Sequence, residues 1–98
     1  MQQRTKTLIR VQAIASGLVQ GVNYRWFVVE HAKELELHGW VRNLADGCVE
    51  AEIEGAKEDV EKLVEAMKQG PGSAHVTGVA TVDLPFENSY HDFQVRYR

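Results

Sequence analysis

The sequence predicts an α+β domain with the element order β-α-β-β-α-β, in which an antiparallel sheet carries two helices on one face. Two segments place apolar residues at helical spacing, and several others alternate apolar and polar residues as a half-buried strand does. Turns that contain glycine separate these segments. The whole chain, residues 1–98, is expected to be a single domain, because it is too short for a second hydrophobic core.

The first half of the chain predicts a strand, a helix and a second strand. Residues 7–15, TLIRVQAIA, are rich in β-branched and apolar side chains and predict the first strand, which Gly17 and Gly21 are expected to end. From Asn23 onward, in YRWFVVEHAKELEL, the apolar positions change to helical spacing. The Asn23 side-chain oxygen is expected to cap this helix. Gly39 is predicted to end the helical region, and WVRN follows as a short strand.

The second half predicts a hairpin, a helix and two further strands. Asp46–Gly47 is a hairpin signal, and the strand after it alternates apolar residues with three glutamates, whose face is expected to meet water. The second helix has apolar residues at i, i+3, i+4 and i+7 and ends at GPG, residues 70–72. Residues 76–84 and 93–97 predict two more strands, the last at a sheet edge. This order is the split βαβ, or ferredoxin-like, plan, which hosts many functions. The glutamates are Glu50, Glu52 and Glu54; the apolar helix residues are Val60, Leu63, Val64 and Met67.

Charge is distributed unevenly along the chain. Residues 1–25 contain four basic residues and no carboxylate, whereas residues 26–98 contain the other seven basic residues and all fourteen acidic ones. A nucleic-acid-binding face usually offers a broad basic surface, with roughly 6–10 phosphate contacts when binding is tight. We therefore expect a small anion as the ligand and no nucleic-acid partner. Residues 1–6 are expected to form a flexible basic tail.

Composition also sets expectations about location and cofactors. No uninterrupted apolar run approaches the length of a signal-peptide core or a membrane span. Cys48 is the one cysteine, which excludes an internal disulfide and a cysteine-rich zinc site. We expect a cytoplasmic monomer with no metal, no other cofactor and no membrane partner.

The segment GLVQGVNYR, residues 17–25, predicts an anion-binding turn between the first strand and the first helix. Glycines allow successive backbone N–H groups to converge on an anion, and the first turn of a helix adds unpaired N–H groups. Arg25 could add a planar fork of donors to the same anion. The residues alone leave open a structural turn in which Arg25 faces solvent.

Two motifs resemble the signatures of the acylphosphatase family. The first, G-x-V-Q-G-V-x-F/Y-R, is matched from Gly17 to Arg25. The second, G-W/F/Y-V/A-x-N followed by a three-residue spacer, Gly, any residue and Val, is matched from Gly39 to Val49. The resemblance covers essentially the whole chain. It implies an enzyme that hydrolyses acyl phosphates to a carboxylate and inorganic phosphate without a metal ion.

The resemblance also implies roles for individual residues. Arg25 would bind the phosphoryl oxygens together with backbone amides of the loop, and Asn43 would orient the attacking water. Trp40, three residues before Asn43, is expected to pack in the core beneath the site. The implied amides are those of Val19, Gln20, Gly21, Val22, Asn23 and Tyr24.

Two other functions stay open. One is a module that senses phosphate or an acyl phosphate without turnover, although the presence of both Arg25 and Asn43 favours the enzyme. The other is RNA binding on the open sheet face, which predicts exposed aromatic residues flanked by basic ones. The glutamates of the strand after Gly47 argue against it, because they would repel phosphate.

Overall fold

The computed structural model describes residues 7–97, and these contain the predicted elements in the predicted order, including the short final strand at a sheet edge. The tail expected at residues 1–6 lies outside the described residues. The α+β, ferredoxin-like prediction is confirmed. The elements are β1 Leu8–Leu18, α1 Tyr24–Glu34, β2 His38–Asn43, β3 Val49–Ala56, α2 Lys57–Gln69, β4 His75–Leu84 and β5 Phe93–Val95.

The strand order is β4-β1-β3-β2-β5, with β3 at the centre between β1 and β2. The first four strands pair antiparallel, whereas β5 pairs in parallel with β2 and makes the sheet mixed. Because Ala15 of β1 and Asn43 of β2 both pair with Val49, the C-terminal ends of β1 and β2 lie at the same end of the sheet. The parallel strand β5 ends there too. One end of the domain therefore receives the segment after β1, the β2–β3 turn and the residues that follow β5.

The core lies between the helices and one face of the sheet. Alanines at two positions of β1 and one of β3 are fully buried, which lets both helices approach the sheet closely. Alternating apolar residues of these strands meet the apolar stripes of α1 and α2, as the sequence predicts. The buried cluster includes Val11, Ala13, Ala15, Val28, Ala32, Val41, Val49, Ala51, Ile53, Val60, Leu63 and Met67.

The glutamates on the face of the sheet opposite the helices are largely shielded from water. The prediction that this face meets water was therefore wrong. Glu50 and Glu54 are only 7% and 3% exposed. Arg42 Nε donates to Glu50 Oε1 at 2.7 Å, and Arg10 Nε donates to Glu52 Oε1 at 2.7 Å. The bond to Glu52 raises the pKa of Arg10. Alternation of residue types placed the glutamates on the correct face, but it carries no information about what covers that face.

Much of the cover comes from the segment between β4 and β5. The Glu54 carboxylate accepts the backbone N–H groups of Glu87 at 3.3 Å, Ser89 at 2.9 Å and Tyr90 at 3.3 Å. The Tyr90 hydroxyl donates to Glu52 at 2.7 Å. These bonds hold the segment against the sheet while the chain passes from one edge strand to the other.

Trp40 is buried, as expected, but it lies on this covered face and not in the core beneath the site, so the expected location was wrong. Its Nε1 donates to the Tyr90 hydroxyl at 3.0 Å. The guanidinium groups of Arg42 and Arg96 lie 5.3 and 4.6 Å from its ring centroid, which are cation–π distances. Successive residues of a strand point to opposite faces of the sheet. Because Trp40 follows Gly39 in β2, its side chain points to the face opposite that of position 39.

Two glycines lie inside strands where the sequence predicted boundaries. Strand β1 continues to Leu18 through a register shift at Ser16/Gly17. Gly39 lies within β2, after α1 has already ended at Glu34. Its φ is +143°, and a Cβ there would collide with the carbonyl oxygen of Glu52. Both glycines therefore serve close backbone approach and do not end elements.

No helix within residues 7–97 is long and apolar enough to span a membrane.

Replacing Glu54 by glutamine is expected to lower the free energy of unfolding by about 2 kcal/mol. One oxygen of the carboxylate becomes an NH₂ group that faces a backbone N–H donor, and the remaining bonds lose their ionic assistance. Chemical denaturation measures the change. Glu61→Gln, at an exposed position of α2, is the matched control. Equal stability of the two variants would contradict the anchoring role of Glu54.

Candidate functional site

The segment 19–23 connects β1 to α1 with two residues in left-handed backbone. Gly21 has φ +74° and Asn23 has φ +61°. Asn23 occupies the predicted cap position but makes no side-chain capping bond, so the expected cap was wrong. Asparagine fits here because it tolerates left-handed backbone. The helix starts with the bond from Phe27 N–H to the Asn23 carbonyl at 3.0 Å.

The backbone donors of this segment are unused. Within residues 7–97, none of the N–H groups of residues 19–25 donates to a protein acceptor. The last two of these N–H groups belong to the first turn of α1, where the helix dipole is positive. The segment therefore offers a row of donors to an anion, as the sequence predicts.

Residues 19–25, with the exception of Gln20, line an open pocket of about 550 Å³. Of residues 7–97, Arg25 is the one charged residue that lines it, and none of the described lining residues is acidic. Among the described residues Arg25 forms no hydrogen bond or ion pair, but its Cζ lies 5.3 Å from the ring centroid of Tyr97. This cation–π contact leaves the guanidinium donors available. The lining residues are Val19, Gly21, Val22, Asn23, Tyr24, Arg25, Trp26, Ser73, Val95 and Tyr97.

Gln20 is the loop residue that does not line the pocket. Its Nε2 donates to the carbonyl oxygens of Leu44 at 2.7 Å and Cys48 at 2.8 Å. These two residues are themselves joined by a bond from Leu44 N–H to the Cys48 carbonyl at 2.8 Å. Gln20 thus connects the loop after β1 to the β2–β3 turn, immediately beside Asn43.

Two more contacts hold the loop and the start of α1. The Ser73 hydroxyl donates to the Val22 carbonyl at 2.9 Å. The Tyr24 hydroxyl, on a side chain that is 1% exposed, donates to the Met67 carbonyl at 2.7 Å. Burial raises the pKa of the Tyr24 phenol. Tyr24 and Ser73 therefore fix the geometry of the loop from the α2 side.

Asn43 ends β2 at the same end of the sheet, although it does not line the pocket itself. Its Oδ1 is buried and has no hydrogen-bond partner within residues 7–97. An unpaired buried acceptor costs about 1–3 kcal/mol, so such an atom in a native protein calls for an explanation. Gln20 holds the next residue, Leu44, to the anion-binding loop. The site therefore combines anion donors with one sheltered acceptor nearby.

The sequence predicted the loop residues, Arg25 and Asn43 as the site; of these, Arg25 and the loop residues other than Gln20 line the pocket, and four further lining residues were not predicted. Trp26 was an available signal, because it is a large aromatic residue beside Arg25 and outside the apolar stripe of the helix. The other three come from distant segments, and only the fold brings them to the loop. They are Ser73, Val95 and Tyr97.

No group of three or more histidine, cysteine, aspartate or glutamate side chains between residues 7 and 97 is placed to hold a metal ion.

Several known proteins are similar to this chain over most of its length. The acylphosphatase family model matches residues 11–95. An acylphosphatase of Acaryochloris marina is 51% identical over 88 residues, which is 90% of this chain and 94% of that protein. An acylphosphatase of Syntrophotalea carbinolica is 45% identical over 89 residues, covering 91% and 97% respectively. The crystal structure of acylphosphatase from Bacillus subtilis matches with a TM-score of 0.87 at 35% identity, covering 91% of this chain and 99% of that one.

Replacing Gln20 by methionine is expected to lower the free energy of unfolding by about 1 kcal/mol, because two carbonyl groups lose a donor while side-chain length is kept. Amide hydrogen exchange should accelerate in residues 44–48 in particular. Gln69→Met, at the exposed end of α2, is the control. Unchanged exchange in residues 44–48 would show that Gln20 does not hold the two loops together.

Proposed function

This chain belongs to the acylphosphatase family, and we propose that Arg25, Asn43 and the backbone amides of residues 19–24 carry out its hydrolysis of acyl phosphates. The observation that carries the proposal is the coincidence of unpartnered groups at one end of the sheet. Backbone donors, a guanidinium with no acidic partner among residues 7–97 and a buried amide oxygen all belong to adjacent segments. Donors suit a phosphoryl group, and the lone acceptor suits a water molecule.

Arg25 binds the phosphoryl group in this proposal. The phosphoryl group of an acyl phosphate carries negative charge on oxygens whose spacing matches the planar fork of a guanidinium. The amides of Val19, Gln20, Gly21, Val22, Asn23 and Tyr24 donate to the same oxygens. Because these donors are fixed before substrate binds, little reorganisation is needed as charge shifts during the reaction.

Asn43 orients the attacking water. A water that donates a hydrogen bond to Oδ1 satisfies the unpaired acceptor. Its oxygen keeps a lone pair that can point at the phosphorus atom. The contact of Gln20 with Leu44 supports a fixed distance between this water and the bound phosphoryl group. Holding two reactants in place in this way accounts for a large share of the barrier reduction in many enzymes.

The bond changes balance without a general acid or base from the protein. The water oxygen bonds to phosphorus as the bond between phosphorus and the acyl oxygen breaks. The leaving group is a carboxylate, which is stable as an anion and needs no proton. A phosphoryl oxygen takes the proton from water, which yields inorganic phosphate. This assignment agrees with the described lining of the pocket, in which no carboxylate or histidine side chain occurs between residues 7 and 97.

Arg25→Gln is expected to lower kcat/KM for benzoyl phosphate by at least about 10³-fold, because it removes the charged donor at the phosphoryl group. Hydrolysis is followed by the loss of ultraviolet absorbance with a chelator present. Lys33→Gln removes one positive charge from an exposed position of the same helix and should leave kcat/KM near the parent value. Similar rates for Arg25→Gln and the parent would rule out the proposed role.

Asn43→Ala is expected to lower kcat by about 10²-fold while inhibition by inorganic phosphate changes less than about threefold. The variant loses the water-orienting acceptor but keeps the anion donors. Its free energy of unfolding should not fall, because an unpaired buried oxygen is removed. A large loss of phosphate affinity would instead assign Asn43 to binding.

The folded parent provides the test of the whole proposal. Turnover of benzoyl phosphate supports it. Binding of phosphate without any turnover would contradict it and favour a sensing module.

A further inference from the structure

The pocket lining combines two chemistries. Residues 19–25 supply anion donors, whereas Trp26, Val95 and Tyr97 supply aromatic and aliphatic surface. Trp26 follows Arg25 in α1, and the other two lie at the end of β5 and just beyond it. The proposed mechanism uses only the first group of residues. The apolar part of the lining therefore has no role in the chemistry described above.

Trp26 and Tyr97 are unusually exposed for side chains of their size. Their exposed fractions are 57% and 82%, and they are the two aromatic residues among the large hydrophobic side chains exposed between residues 7 and 97. Single exposed apolar residues are common, but these two line the same pocket. Small-molecule sites are characteristically lined by such residues with a few polar groups among them.

Building on the proposed function, we infer that Trp26 and Tyr97 bind the acyl group of the substrate and favour a planar, aromatic one. The acyl group is joined to the phosphoryl group through one oxygen, so phosphoryl binding at Arg25 keeps it within the same pocket. The ring of Tyr97 lies 5.3 Å from Arg25 Cζ, which places an aromatic ring beside the phosphate-binding group. Aromatic pairs gain free energy beyond that of the area they bury.

The charges of the lining support this class of acyl group. Arg25 is engaged by the phosphoryl group, and no second cation among residues 7–97 lines the pocket to meet a carboxylate on the acyl chain. A flat ring gains more than a saturated chain from contact with two aromatic rings. A pocket of about 550 Å³ falls in the usual range for small ligands.

The test compares kcat/KM for benzoyl phosphate and acetyl phosphate, and the ratio of the two values is the selectivity. Trp26→Ala is expected to lower the selectivity about tenfold, whereas Trp26→Phe should keep it within about threefold of the parent. Trp26 is the better position to change, because Tyr97 also contacts Arg25. Leu18→Ala is the matched control: Leu18 is also 57% exposed and does not line the pocket. This control should leave the selectivity unchanged.

The possible failures are distinguishable. Equal losses with both substrates in Trp26→Ala, or no loss with either, would overturn the inference and leave the proposed function standing. Hydrolysis of neither substrate by the folded parent would overturn the proposed function and the inference with it.

Cyclohexanecarbonyl phosphate separates aromatic contact from simple burial of apolar area. Its ring has a similar size but no π face, so Trp26→Ala should lower its kcat/KM clearly less than that for benzoyl phosphate. An equal loss for the two rings would overturn the assignment of an aromatic acyl group.

Discussion

The site depends on one backbone constraint: the chain must turn from β1 into α1 without using the N–H groups of residues 19–25. Left-handed backbone at Gly21 and Asn23 makes the turn possible. The segment is then held by contacts with other elements and not by its own backbone bonds. Gln20 reaches the β2–β3 turn, and the Tyr24 hydroxyl reaches the last turn of α2. Because the anchors lie outside the loop, its donors stay available and fixed, which is the condition for preorganised binding of an anion.

The two faces of the sheet carry different kinds of side chain. Paired carboxylates lie on one face, away from the anion-binding pocket, and this helps to explain how an acidic chain can bind an anion. Apolar side chains fill the helix-covered face. The other face collects carboxylates and pairs them, Glu52 with Arg10 and Glu50 with Arg42. A buried carboxylate is costly unless it is paired and hydrogen-bonded, and Glu54 meets this condition with three backbone N–H groups. Because Glu50 and Glu52 are paired with arginines and no acidic side chain is among the described residues that line the pocket, the local charge at the pocket is that of Arg25, although the chain carries a net charge of −3.

Local pattern sufficed to predict the elements and to propose site residues, but it failed where the environment of a residue depends on distant segments. Helical spacing and alternation gave the element order, and the motif spacing pointed to Arg25 and Asn43. The environment of Glu54 could not be predicted, because its cover is a segment more than thirty residues away. Trp40 was misplaced for the same reason, since its partner Tyr90 comes from that segment. Gly17 and Gly39 were interpreted as boundaries because a glycine needed for close approach has the same local signature as one that ends an element.

The fifth strand changes what the βαββαβ plan can offer at this end of the sheet. In the four-strand plan, β2 would be an edge and the anion-binding loop would face open solvent on that side. The parallel pairing of β5 with β2, continued by the bond from Arg96 N–H to the Val41 carbonyl at 2.8 Å, brings Tyr97 beside Arg25. An antiparallel β5 would end at the opposite end of the sheet and could not bring Tyr97 beside Arg25. The direction of one short strand therefore decides whether the guanidinium is oriented by an aromatic ring, and it brings the loop after β1 and the segment after β5 into one pocket.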